Sequence, residues 1–102
     1  MEQYVIIAHD GTDADAPARR MAARPAHLEV VRRLKARGNF IEGGAILDEK
    51  GMMVGSVVMV AFPSRAELDG WLAIDPYVTG GVWQRYEIQP FRRVQLGVPS
   101  PG

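Results

Sequence analysis

Two residues one helical turn apart, Arg24 and His27, stand in the stretch Arg24-Pro25-Ala26-His27-Leu28. Near neutral pH an imidazole takes up or releases a proton, and a guanidinium binds carboxylates or phenolates, so the pair suits acid/base chemistry on an anionic substrate. The candidate partner for His27 is Asp75, in Asp75-Pro76-Tyr77. A carboxylate bonded to one ring nitrogen fixes the tautomer, as a general base requires. Tyr77 offers a phenolic hydrogen bond to a substrate oxygen, and Ser56 offers a hydroxyl to line a pocket. No histidine or aspartate stands at a motif spacing that would make Ser56 a triad nucleophile. Each residue also has a plainer reading: a core histidine satisfied by one carbonyl, an Asp-Pro turn, a tyrosine that packs.

Other chemistry is excluded or poorly supported. The chain has no cysteine, so disulfides, thiolate metal sites and a cysteine nucleophile are absent. His9-Asp10 near Asp13 and Asp15 lacks helical ligand spacing and makes a weak metal pattern, so neither a metal nor a cofactor is expected. Gly43-Gly44 and Gly80-Gly81 read as bulges or turns, since neither shows a nucleotide-binding pattern.

The elements that must position these residues follow from periodicity and punctuation. Tyr4 to Ala8 is apolar on both parities and suits a strand buried on both faces. After the loop formers His9 to Asp13, a helix capped by Asp13 or Asp15, with Pro17 in its first turn, runs to about Arg37 and stops at Gly38-Asn39. Pro25 either kinks that helix or divides it in two. Phe40–Leu47 and about Met53–Phe62 form an antiparallel hairpin across Asp48-Glu49-Lys50-Gly51. Ser64-Arg65-Ala66-Glu67 matches a capping box opening a short helix through Leu68, Trp71 and Leu72, which Asp75-Pro76-Tyr77 terminates. Val82 to about Gln89 is the last strand.

The order β-α-β-β-α-β predicts an α+β fold, a ferredoxin-like sandwich with an antiparallel four-stranded sheet and two helices on one face. Residues 1–96 read as a single domain and 97–102 as a flexible tail. Two helices cover only one sheet face, while the first and third strands are apolar on both, so a homodimer through the open sheet face is expected.

A helical wheel of about 100° per residue, with His27 at zero, puts Val31, Leu34, Leu28 and Met21 in a buried stripe. Arg20, near 20°, and Arg24, near 60°, fall inside it, whereas Glu29 and Arg33 fall outside. Burying a guanidinium without a partner costs several kcal/mol, so Arg24 needs a carboxylate, an anionic ligand or a wet rim. A kink at Pro25 would rotate Arg20 and Arg24 out of the stripe.

Net charge is zero, with 12 basic and 12 acidic residues, which disfavours long-range attraction to nucleic acid or membrane. Most of the basic residues between Arg19 and Arg37 fit a solvated helix face. The split β-α-β order is shared with RNA-recognition domains, yet the third strand reads Val57-Val58-Met59-Val60 where those carry base-stacking aromatics. Met1-Glu2-Gln3 runs straight into the first strand with no basic leader, and no apolar run approaches about 18 residues, so a cytoplasmic protein without nucleic-acid or membrane partners is expected.

The chain resembles the YciI-like family of small dimeric α+β barrel proteins. The resemblance spans roughly residues 4–92 and is carried by Tyr4-Val5-Ile6-Ile7 with Asp10, Arg24-x-x-His27-Leu28, Gly43-Gly44, Gly51 with Ser56, Asp75-Pro76 and Pro90-Phe91. It implies a ferredoxin-like protomer, face-to-face sheet pairing and a histidine–aspartate pocket mapping onto His27 and Asp75. Most members of that family have no assigned reaction. A few relatives act as dehydrochlorinases on chlorinated hydroxyquinols, and the wider superfamily holds lactone isomerases, monooxygenases and haem enzymes. Pro25 departs from a comfortable helical residue, and no feature beyond His27 favours haem.

The leading expectation is a cofactor-independent lyase or isomerase, dehydrochlorinase-like, on a small, oxygenated, anionic substrate. His27 and Asp75 would carry the proton chemistry, with Arg24, Ser56 and Tyr77 binding the substrate. The alternative is a non-catalytic small-molecule-binding or accessory module with the same pocket.

Overall fold

The computed structural model describes residues 1–97. Its elements are β1 (Glu2–Asp10), α1 (Ala16–Ala36), β2 (Phe40–Leu47), β3 (Met53–Phe62), α2 (Arg65–Leu72), α3 (Pro76–Thr79) and β4 (Trp83–Pro90). The strands form one sheet in the order β2-β3-β1-β4, with each neighbouring pair antiparallel. This is the ferredoxin-like arrangement, with the helices on one face. Apart from Gly97, the expected tail lies outside the described residues.

Strand alternation decides which face is covered. Tyr4, Ile6 and Ala8 of β1 are buried and pair with Val60, Val58 and Ser56 of β3, also buried. They meet Leu34 of α1, Leu68, Trp71 and Leu72 of α2 and Tyr77 of α3 in one core. The intervening pairs lie on the opposite face: Val5 and Ile7 are half-buried, and Val57 is 38% exposed. Gly55 is buried beside β1, where an added Cβ would run into the Ala8 carbonyl. Only a glycine lets the two strands approach so closely.

α1 is one helix through Pro25 rather than two, although proline removes a backbone donor and crowds the preceding turn. The helix ends as expected, with Arg37 as C-cap and Gly38 at a φ of 79°. Its start differs in mechanism. Asp15 is the N-cap, but its side chain makes no capping bond; the Ala16 N–H bonds the Asp13 carbonyl, and the Asp13 carboxylate pairs with Arg19 instead.

Two wheel assignments need correction. Met21, placed in the buried stripe, is 54% exposed, and Leu28 and Val31 are only half-buried, so the fully covered stripe narrows to Ala16, Arg20, His27 and Leu34.

The second helix also ends earlier than expected. α2 stops at Leu72, and Asp75-Pro76-Tyr77 begins another helix rather than serving as a terminating turn. Asp75 adopts extended backbone, its carboxylate accepts from the Tyr77 N–H, and Pro76 occupies the first helical position, where its missing N–H costs nothing. At the start of α2 the Ser64 hydroxyl accepts from the Glu67 N–H at 3.3 Å, the first half of the expected capping box.

Candidate functional site

α1 and the α2–α3 corner bring His27 and Asp75 together. Nδ1 of His27 lies 2.8 Å from Oδ1 of Asp75. That aspartate is fully buried and accepts two further bonds, from the Tyr77 backbone N–H at 2.9 Å and the Trp71 indole at 3.0 Å. The same corner that starts α3 therefore aims the carboxylate at the histidine. An ionised carboxylate only accepts, so Nδ1 carries the hydrogen and the neutral ring keeps its lone pair on Nε2.

Nε2 makes no hydrogen bond among the described residues, and it is not one of the sealed, unpartnered polar atoms. It opens on a cleft of about 210 Å³ between α1, β2 and the helix-covered face of β3. The ring is held on its other face by Tyr77, stacked at 3.7 Å with 9° between planes, and Trp83 meets it edge-on at 6.1 Å.

A second polar centre lies beside the first. Nη1 of Arg20 donates to both oxygens of Asp10 at 3.0 Å, and Nη2 donates to Ser56 Oγ at 3.0 Å. Both members of the ion pair are 4% exposed at the side chain. Arg20 also lies 4.7 Å over the Tyr77 ring, so Tyr77 is held between a guanidinium and an imidazole. The Trp83 indole donates to Ser56 Oγ at 3.2 Å.

Arg24 completes the cleft wall. It is half-buried and has no ion pair or side-chain hydrogen bond among the described residues. Of the two arginines that the wheel turns inward, Arg20 meets an internal carboxylate, while Arg24 remains available to an anion.

Comparison with known proteins places these features in a family. The model of the YCII-related domain matches residues 2–92. The chain belongs to the YCII-related domain family. Protein YciI of Escherichia coli strain CFT073 is 33% identical over 97 residues, covering 89% of this chain and 97% of YciI. An uncharacterised protein of Haemophilus influenzae gives the same identity and coverage. Among solved structures, the 5-chloro-2-hydroxyhydroquinone dehydrochlorinase of Burkholderia phenoliruptrix, complexed with 2,5-dihydroxybenzoquinone, superposes with a TM-score of 0.77. The match covers 90% of this chain and 95% of that one at 21% identity, and what it establishes is the shared fold.

Within this YCII-related chain, all five residues singled out in the sequence line the cleft or contact a residue that does. His27, Arg24, Ser56 and Tyr77 line it directly, and Asp75 stands behind His27. Asp10, Arg20, Trp71 and Trp83 were missed as polar participants. Asp10 entered only as a weak metal ligand with His9, yet both of its oxygens are engaged by Arg20. The available clue was Arg20 itself: a charge inside an apolar stripe demands a buried acid, and Asp10 ends the preceding strand.

Burial pushes the Tyr77 phenol above its ordinary value, against the lowering influence of Arg20 and Arg24. The phenol therefore stays a hydrogen-bond donor throughout the physiological range. Because its folded value is the higher one, its contribution to stability is whole below the unfolded value of about 10 and is lost as pH rises through the folded value. Denaturant titrations at alkaline pH are expected to show a steeper loss of stability in the wild type than in Tyr77→Phe. Equal slopes would contradict the assignment.

Proposed function

We propose that this chain is a small cytoplasmic lyase or isomerase that needs no cofactor and acts on a small, oxygenated, anionic substrate through His27 and Asp75. The reading is carried by one observation: Asp75 takes the proton-bearing nitrogen of His27 at 2.8 Å and leaves Nε2 facing the cleft. His27 then removes a proton from a carbon or hydroxyl next to a carbonyl, and the electron pair moves to the carbonyl oxygen, forming an enolate or phenolate. In an isomerisation the imidazolium returns that proton to a different atom. In an elimination the electron pair expels an anion from the neighbouring carbon, and the proton on His27 balances the departing charge.

Arg24, with no internal partner, and the Tyr77 hydroxyl are the groups that meet the developing negative charge. The dehydrochlorinase with the same fold, bound to a dihydroxybenzoquinone, supports starting with that class of compound. The first experiment offers chlorinated hydroxyhydroquinones and 2,5-dihydroxybenzoquinone to the wild type and follows chloride release and exchange of ring hydrogen for deuterium. Exchange or release that depends on His27 supports the reading. Binding without either reaction, unchanged in His27→Gln, would favour a non-catalytic binding module.

The uncovered sheet face, with Val5, Ile7 and Val57, supports a homodimer joined through that face. Sedimentation is expected to give twice the 11.2 kDa chain mass. A monomer at micromolar concentration would contradict the pairing. No helix among the described residues is long and apolar enough to cross a membrane.

A further inference from the structure

The hydrogen-bond accounting at Ser56 leaves one proton without a destination. Its Oγ has two lone pairs, and two donors point at it: Arg20 Nη2 at 3.0 Å and Trp83 Nε1 at 3.2 Å. With both lone pairs engaged, the hydroxyl is left to act as a donor, and no protein acceptor for its hydrogen is found among the described residues. Ser56 is 4% exposed and lines the cleft that His27 faces.

The rest of the cleft has the same bias. Arg20 keeps a buried Nε–H without a partner, Arg24 has no anion, and no carboxylate lines the cleft among the described residues. Nε2 of His27 is the side-chain acceptor left over. Such a wall complements a ligand that presents one acidic proton to His27 and a negatively charged oxygen to the donors.

We propose that Arg20 and Trp83 are positioning residues that fill both lone pairs of Ser56 and so fix its hydroxyl as a donor to an oxyanion of the substrate. The assignment narrows the substrate class to enols and phenols bound as their anions, and it rests on the cleft being the substrate site. It also separates Ser56 from nucleophilic roles, because an oxygen already accepting from two donors has no lone pair free to attack.

The test uses 4-nitrophenol, whose anion absorbs visible light, as the probe. Wild-type protein is expected to bind the phenolate in preference to the phenol, so the bound dye ionises at lower pH than the free dye. Ser56→Ala should lower phenolate affinity about tenfold and raise the ionisation midpoint of the bound dye by about one unit. Ser56→Thr, which keeps the hydroxyl, should restore both. Trp83→Phe should give a smaller loss, and combining it with Ser56→Ala should add nothing to the effect of Ser56→Ala on the dye, because Trp83 acts through that hydroxyl.

A folded Ser56→Ala that ionises the dye like the wild type would overturn the proposal, as would a wild type that does not bind the phenolate. If Ser56→Ala fails to fold, a Trp83→Phe protein with wild-type dye ionisation would overturn it equally. Catalysis that survives His27→Gln while the dye shift is lost in Ser56→Ala would reject the acid/base reading and uphold the donor assignment.

Discussion

Asp75→Ala is expected to destabilise the protein by roughly 3–5 kcal/mol, because it removes a fully buried acceptor shared by three donors. The Trp71 indole belongs to the core, where its ring packs at 5.8 Å on Phe62, so its freed N–H has no route to water without loosening that packing. The Tyr77 N–H loses its cap at the start of α3, and the bond that orients His27 goes at the same time. For a chain of this size the loss corresponds to a fall in Tm of more than about 10 °C. Thermal and urea denaturation of purified Asp75→Ala check it; a midpoint within a few degrees of the wild type would show that the aspartate holds the corner only weakly. Asp75→Asn keeps the volume but replaces one acceptor oxygen with a donor, so it should cost less, about 1–3 kcal/mol.

His27→Gln is expected to lower the rate of proton transfer by about 10²–10⁴-fold, the usual contribution of a positioned acid/base group. The change should appear in kcat with little change in KM, because Arg24 and Ser56, which are proposed to hold the substrate, are untouched. Asp75→Asn should resemble it for a different reason. If its amide nitrogen turns towards Nδ1, the ring must accept there and carry its hydrogen on Nε2, the atom that has to be bare to act as a base. Deuterium exchange into a bound hydroxyquinone, measured for the wild type and both variants, separates these outcomes from simple unfolding when read beside circular dichroism. A His27→Gln protein exchanging at the wild-type rate would remove the histidine from the mechanism.

The fold was legible because its causes are local. Alternation in Tyr4 to Ala8, the turn at Asp48 to Gly51, the Ser64 cap and the stop at Gly38 act within a few residues of themselves, and the strand order follows from their succession. What escaped depended on contacts between distant positions. Asp10 and Arg20 are ten residues apart, and it is the geometry of the β1–α1 connection that makes them a buried pair. Trp71 and Trp83 read as apolar bulk, since nothing in their neighbours reveals where an indole N–H will point. Met21 failed for a geometric reason: a uniform wheel assumes that the sheet covers the whole apolar arc, whereas the fully buried stripe of α1 is narrower. Asp75-Pro76 did carry a legible signature, an N-cap followed by proline at the first helical position, which competed with the equally sound reading of a stop.

The site was legible to a different depth. His27 and Arg24 stood out because charge and imidazole sat within an apolar stripe, and Asp75 because the resemblance and the split β-α-β arrangement both pointed to it. Ser56 was marked as a lining residue, but its direction as a donor depends on two partners from α1 and β4 that no spacing rule connects.

The most direct test of the account is the tautomer of His27, read from the ring nitrogen chemical shifts in protein labelled with nitrogen-15 histidine, at a pH where the ring is neutral. Hydrogen on Nδ1 and a bare Nε2 is the predicted result, with the assignment altered in Asp75→Asn. Hydrogen on Nε2 in the wild type would contradict the account, because the nitrogen that faces the cleft would then have no lone pair with which to accept a proton.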